Sequence, residues 1–128
     1  MISAPMLLAI AAGGALGSVA RYLMGIVASK AFGLGFPWGT LIINIAGSFL
    51  IGAFVELFAL KWDLPQEARV FLTVGICGGF TTFSTFSLDA WLMIERGELG
   101  FAGAYIVASV VLSIAALVGA LHVVRAAV

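Results

Sequence analysis

The chain contains four long apolar stretches that are separated by short polar connections. Each stretch reaches the roughly 20 residues that an α-helix needs to cross about 30 Å of hydrocarbon. The pattern therefore predicts an all-α membrane protein with four transmembrane helices, at about residues 6–28, 39–60, 66–95 and 99–124. The connections are too short to hold another folded unit, so we expect one transmembrane domain over residues 1–128.

The composition agrees with a membrane protein. Hydrophobic residues make up 63% of the chain and charged residues 9%, whereas a soluble domain has about 25% charged residues. The net charge is zero, so nothing indicates a nucleic-acid partner. No basic segment precedes the first apolar run, because Arg21 comes after it. We therefore interpret that run as a membrane helix and not as a signal peptide.

Positive charges are divided equally between the two predicted membrane faces. Three belong to each face: Arg21, Lys30 and Arg96 on one, and Lys61, Arg69 and Arg125 on the other. An excess of Lys and Arg normally marks the cytoplasmic side, so this tally gives no orientation. Either the count is too small to be informative, or the chain inserts both ways up and forms an antiparallel homodimer.

Small and polar residues recur at helical spacing inside the apolar stretches. Glycines four apart, as at 13 and 17 or at 75 and 79, allow close helix contact within one subunit or between two. Asn44 and Ser48 share one face of helix two. Asn44 either joins two helices by a hydrogen bond or lines a polar path. On helix four, Tyr105, Ser109 and Ser113 form a line of hydroxyls that favours a polar track.

The strongest signal lies in helix three, where residues 78–87 read Gly-Gly-Phe-Thr-Thr-Phe-Ser-Thr-Phe-Ser. Gly, Thr and Phe all lower helix propensity, so the segment predicts a break in the middle of the membrane. The backbone groups freed by a break must be satisfied by protein, by a cavity or by an ion. Phe83 and Phe86 are three apart and can face one side together, although each ring alone could simply face lipid.

These residues resemble the signature of the Fluc, or CrcB, family of fluoride channels. Further matches are Gly13 to Tyr22, Trp38 to Asn44 and the hydroxyl ladder of helix four, so the resemblance covers the whole chain. Two positions depart from forms that are frequent in the family. Phe80 stands where Leu often appears, and Asp89 stands where Glu is frequent.

The resemblance implies a dual-topology, antiparallel homodimer in the bacterial plasma (inner) membrane, with two pores that export fluoride passively. It also implies a structural sodium ion (Na+), not transported, held on the dyad by the backbone carbonyls of Gly78 and Thr81. Arg21 matches a vestibule position. The residues implied for the fluoride pore are Asn44, Phe83, Phe86, Tyr105, Ser109 and Ser113.

The chemistry of these side chains suits a small, strongly hydrated anion. Amide and hydroxyl groups can donate hydrogen bonds in place of water. The edges of Phe rings carry partial positive charge, so Phe83 and Phe86 can meet an anion edge-on. No Lys lies in the middle of a predicted span to trap the anion, and weak binding at several sites permits conduction.

Three alternatives compete with the channel. A small dual-topology, proton-coupled multidrug transporter would need an acidic residue in helix one, where Arg21 is the charged residue. Glu56 lies near the end of helix two, where we expect it to snorkel or to pair. A non-conducting assembly subunit would not explain the polar ladder. An enzyme is not expected, because His122 lies near a helix end with no acid or Cys close in sequence, and Cys77 sits among glycines.

Overall fold

The computed structural model describes residues 2–128 as an all-helical chain. Four helical segments are long and apolar enough to cross a membrane, which confirms the predicted all-α architecture with four spans. They are α1 (Ala4–Phe32), α2 (Trp38–Leu60), a composite third span (Gln66–Glu95) and the last helix, α6 (Leu99–Ala127).

The first helix is longer than the apolar stretch that predicted it. Met6 N donates a hydrogen bond to Ser3 Oγ at 3.2 Å, so Ser3 caps the helix, which begins at Ala4, two residues before the predicted start. At the other end the helix continues past residue 28 to Gly33, whose φ of 81° favours glycine. Hydropathy marks the length that matches the hydrocarbon, whereas capping residues decide where a helix ends.

The third span is not a continuous α-helix. Its first part is α3 (Gln66–Val70), followed by a π-helical stretch, Phe71–Cys77, and by the short α4 (Gly78–Phe80). Thr81 and Thr82 are extended, with φ of −82° and −151° and ψ of 157° and 118°. The chain then forms α5 (Phe83–Glu95). The π-helical stretch was not predicted, and such stretches are frequent at functional sites.

Glycines bring the first helix against the third span within one chain. A Cβ built on Gly75 would lie 2.8 Å from the Gly13 Cα, and one built on Gly79 would lie 2.7 Å from the Gly14 carbonyl oxygen. Such distances leave no room for a side chain. The glycine pairs therefore serve packing inside the subunit, which was one of the two interpretations open from sequence.

The buried core lies where α2, α5 and α6 meet. Met93 and Tyr105 are fully buried there, together with Leu41, Phe86 and Ala102. Elsewhere α2 packs along α6, and α1 packs against the π-helical stretch and α4. The core holds α5 and α6 together beside the break at Thr81 and Thr82.

Candidate functional site

The side chain of Asn44 holds the break in the third span. Thr82 N donates a hydrogen bond to Asn44 Oδ1 at 2.8 Å, and Asn44 Nδ2 donates one to the Thr82 carbonyl oxygen at 3.1 Å. The amide thus pairs with both backbone groups of one extended residue. Asn44 therefore joins two helical segments by hydrogen bonds, which is one of the two roles considered from sequence. These bonds use one of the two N–H groups of Nδ2 and leave the other free.

Two backbone donors are diverted from the helix at this point. The Thr82 N–H, which would bond the Gly78 carbonyl in a continuous α-helix, is bonded to Asn44 Oδ1. The Thr85 N–H, which would bond the Thr81 carbonyl, donates instead to Thr82 Oγ1 at 3.1 Å and so caps α5. The carbonyls of Gly78 and Thr81 consequently lose their usual helical donors.

Five of the six predicted pore residues line one cavity of about 350 Å³ between α2, the break and α6. We call this cavity the pore groove; the five are Asn44, Phe83, Phe86, Ser109 and Ser113. The Oγ atoms of Ser109 and Ser113 are buried, and each lacks a hydrogen-bond partner among residues 2–128. Buried polar atoms are nearly always paired, so two unpaired hydroxyls beside a cavity indicate a polar or anionic occupant.

The two phenylalanines occupy different surroundings. Their ring centroids are 5.5 Å apart, but Phe83 is 77% exposed and Phe86 only 9%. Phe86 rests on Tyr105, with ring centroids 5.2 Å apart. Spacing along the helix correctly places both rings on one side, whereas their burial depends on α6.

The structure places Tyr105 behind the groove and not on its wall. Its ring is fully buried between Phe86 and Phe36, and the Phe36 ring stands perpendicular to it at 5.6 Å. The Tyr105 hydroxyl donates a hydrogen bond to Asp89 Oδ2 at 3.1 Å. Asp89, whose role was open from sequence, thus orients the ring that supports Phe86.

A second, wider cavity of about 610 Å³ lies on the other side of the break. We call it the Arg21 cleft, because Arg21 lines it together with Thr40, Thr82, Thr85 and Asp89. Arg21 Nε donates a hydrogen bond to the Gly79 carbonyl oxygen at 3.1 Å. Arg21 therefore brings a positive charge next to the broken span, and Lys30 and Arg96 also line the cleft.

Other ionisable groups lie away from the groove. Arg125 Nη2 lies 3.2 Å from Glu56 Oε2, which confirms that Glu56 pairs. Within residues 2–128, no three His, Cys, Asp or Glu side chains are grouped so as to hold a metal ion.

Sequence reasoning missed some residues of the groove wall, namely Thr82, Cys77 and Ser48. Thr82 lies inside the hydroxyl-rich motif, and Ser48 shares the helix face of Asn44, so both carried a usable signal. Cys77 carried none, because its place depends on the unpredicted π-helical stretch.

Comparison with known proteins gives consistent matches over nearly the full chain. Residues 8–121 match the family described as "CrcB-like protein, Camphor Resistance (CrcB)". A Nitrobacter hamburgensis protein named "Fluoride-specific ion channel FluC 1" is 64% identical over 119 residues, which cover 93% of this chain and 94% of the relative. Two further relatives are named "Fluoride-specific ion channel FluC". The protein from Agrobacterium fabrum is 57% identical over 84% of this chain and 86% of the relative. The protein from Rhodospirillum centenum is 50% identical over 96% of this chain and 98% of the relative.

Proposed function

Because this chain belongs to the CrcB family, whose similar members are named fluoride-specific ion channels, we propose that it is a fluoride-selective channel. It is a multi-pass membrane protein, and in bacteria such a channel lies in the plasma membrane. Its family is one of ion channels and not a class of enzymes. On this proposal the channel lowers cytoplasmic fluoride by passive export.

The observation that carries the proposal is the set of unused donors along the pore groove. The hydroxyls of Ser109 and Ser113 have no partner within the described chain, and Asn44 keeps one free N–H. Fluoride gives up strongly bound water on entry, so the donors must replace those hydrogen bonds. Because Lys and Arg do not line the groove, binding stays weak enough for release.

The exposed ring of Phe83 completes this set of anion contacts. An aromatic edge can face an anion because its hydrogens carry partial positive charge. Phe86 is fixed by Tyr105, whereas Phe83 stands free at the rim of the groove. We assign Phe83 and Phe86 to two successive contacts of the anion, and Tyr105 to the support of the second.

A second copy of the chain is part of the proposal. At the rim of the groove Phe83, Val110 and Ile114 are 77%, 48% and 61% exposed. In lipid an open polar groove would leave the conducted ion unsolvated, so a partner subunit must close it. The balanced Lys and Arg tally fits an antiparallel partner and hence two pores. Reporters fused to the C-terminus should then be active on both membrane faces, and signal on one face only would contradict dual topology.

The carbonyls of Gly78 and Thr81 fit a structural sodium ion on the two-fold axis. Each has lost its helical donor to a side chain, and carbonyl oxygens suit a hard alkali ion without adding negative charge. One chain supplies two oxygens and the antiparallel partner two more. We also place the break near the middle of the bilayer, since it lies midway along Gln66–Glu95. An anomalously scattering monovalent cation in crystals should peak between these oxygens, and absence of that peak would remove the ion from the account.

The comparisons do not support the alternative of a multidrug transporter. Helix α1 carries Arg21 and no acid. The acid Glu56 lies on α2 and not on α1, and it is buried and paired with Arg125.

Growth in fluoride tests the proposed function in cells. A bacterial strain without fluoride exporters should regain growth in millimolar fluoride when it expresses the wild-type chain. A variant that expresses equally but lacks the Asn44 amide, Asn44→Ala, should not rescue it. Failure of the wild-type chain to rescue growth, with the protein present in the membrane, would contradict the proposal.

A further inference from the structure

The two cavities beside the break meet at one residue. Among residues 2–128, Thr82 is the one residue that lines both the pore groove and the Arg21 cleft. Thr82 lies in the interruption between α4 and α5. An ion that moves from the cleft to the groove of the same chain at this junction would meet Thr82.

The hydroxyl of Thr82 has a donor available for such an ion. Thr82 Oγ1 already accepts the hydrogen bond from Thr85 N at 3.1 Å, so that lone pair is occupied. A second contact joins Thr82 Oγ1 to Ser84 Oγ at 3.3 Å in an exposed position, and either atom can donate. The two hydroxyls carry two protons and this contact uses one. When Ser84 Oγ is the donor, the O–H of Thr82 remains to be donated to an anion.

The backbone of Thr82 is fixed from both sides. Its N–H and its carbonyl are both bonded to the Asn44 side chain, at 2.8 and 3.1 Å. A donor that is held in place by its neighbours loses little entropy when it coordinates a ligand. The free N–H of the Asn44 amide lies beside it, and Arg21 is bonded to Gly79, three residues earlier.

We propose that Thr82 is a further anion-coordinating residue, whose hydroxyl passes fluoride from the Arg21 cleft to the pore groove. The inference rests on the proposed function, because it concerns the same anion. It adds a contact between the vestibule charge of Arg21 and the donors at Asn44, Ser109 and Ser113. A competing role for Thr82 is purely structural, as the cap of α5.

Three variants test whether conduction depends on the hydroxyl of Thr82. Thr82→Ser keeps the hydroxyl and should conduct within about twofold of wild type. Thr82→Val keeps the shape but removes the donor and the cap, and it should lower fluoride efflux from liposomes by about tenfold or more. Ser3→Ala removes the cap of α1, far from the cavities, and should conduct like wild type. Monodisperse Thr82→Val protein with wild-type efflux would overturn the proposal.

A thiol probe covers the case in which Thr82→Val does not fold. Cys77 is the single cysteine and is 2% exposed, so Thr82→Cys can be labelled selectively in the folded protein. Methyl methanethiosulfonate, a small neutral reagent, should then stop fluoride efflux in Thr82→Cys and leave the wild-type protein unaffected. Complete labelling of Thr82→Cys with unchanged efflux would place the side chain outside the ion path. Absence of efflux from the wild-type protein itself would instead refute the proposed function.

Discussion

Replacement of Asn44 by Ala perturbs the break more directly than any other single change. The substitution removes the acceptor for the Thr82 N–H and the donor to the Thr82 carbonyl, which lie 2.8 and 3.1 Å from the amide. In the described part of the chain, Asn44 is the one side chain that is bonded to these two backbone groups. We expect α4 and α5 to lose their fixed arrangement, and the carbonyls of Gly78 and Thr81 to lose their fixed positions with it.

The expected loss of stability follows from two limits. Hydrogen bonds between side chains of membrane helices average about 0.6 kcal/mol, which gives roughly 1 kcal/mol for two bonds. Leaving buried backbone groups unpaired costs about 1–3 kcal/mol each. Thr82 is half-buried beside two cavities, so water can replace part of what is lost. We therefore expect a loss of about 1–3 kcal/mol and a fall of roughly 3–10 °C in the unfolding midpoint.

The native cysteine provides the assay. Cys77 is the single cysteine, is 2% exposed and lies in the π-helical stretch next to the break. A fluorogenic maleimide should therefore react with Cys77 only when this region opens. The midpoint of labelling on heating, in detergent and at equal protein concentration, measures the shift.

Ser48→Ala is the matched control, because Ser48 lies one turn along the same face of α2 and lines the same groove. Its midpoint should stay within about 2 °C of wild type. Asn44→Ala should also lower fluoride efflux by about tenfold or more, since a donor is lost together with the break. A wild-type midpoint for Asn44→Ala would show that the amide does not hold the break.

Other variants test further parts of the structure. Gly79→Val should yield no monodisperse protein in size-exclusion chromatography, because the new Cβ would lie 2.7 Å from a carbonyl oxygen of α1. Gly103→Ala is the control and should behave like wild type, since no described atom lies within 4 Å of the new Cβ. Phe83→Ile should lower fluoride efflux by about tenfold without shifting the unfolding midpoint, because the ring is exposed and only its edge is lost; normal efflux would assign Phe83 to lipid. Glu56→Gln breaks the ion pair with Arg125 and should lower the free energy of unfolding by only about 1 kcal/mol, because Arg125 is half exposed and can be hydrated instead. Fluoride efflux should be unchanged, and a loss of selectivity would implicate the pair in conduction.

The sequence contained enough information for the spans and for most of the groove. Hydropathy predicts four helices because the solvent is a bilayer, and no other element of this length satisfies its own backbone there. A hydroxyl, an amide or a pair of rings is conspicuous in an apolar helix, and the family resemblance then implied that these residues line the pore. Ser109 and Ser113 share a face at helical spacing, and the structure shows them on one wall.

The remainder depended on contacts between distant residues. The pairing of Asn44 with the peptide groups of Thr82 joins residues 38 apart, and spacing along one helix cannot reveal it. The π-helical stretch was not predicted from sequence, and it contains Gly75, which packs closely on Gly13 of α1. The position of Tyr105 behind Phe86 also depends on distant residues, because its ring packs on Phe86 of α5 and on Phe36 in the loop before α2.

Fluoride efflux from liposomes that contain only the purified wild-type protein tests the central claim most directly. With potassium fluoride inside, and with neither a proton nor a sodium gradient, the account predicts rapid efflux once a potassium ionophore balances charge. Liposomes loaded with potassium chloride should release no more chloride than protein-free liposomes. Equal chloride efflux, or fluoride efflux that requires an imposed proton or sodium gradient, would contradict a fluoride-selective channel.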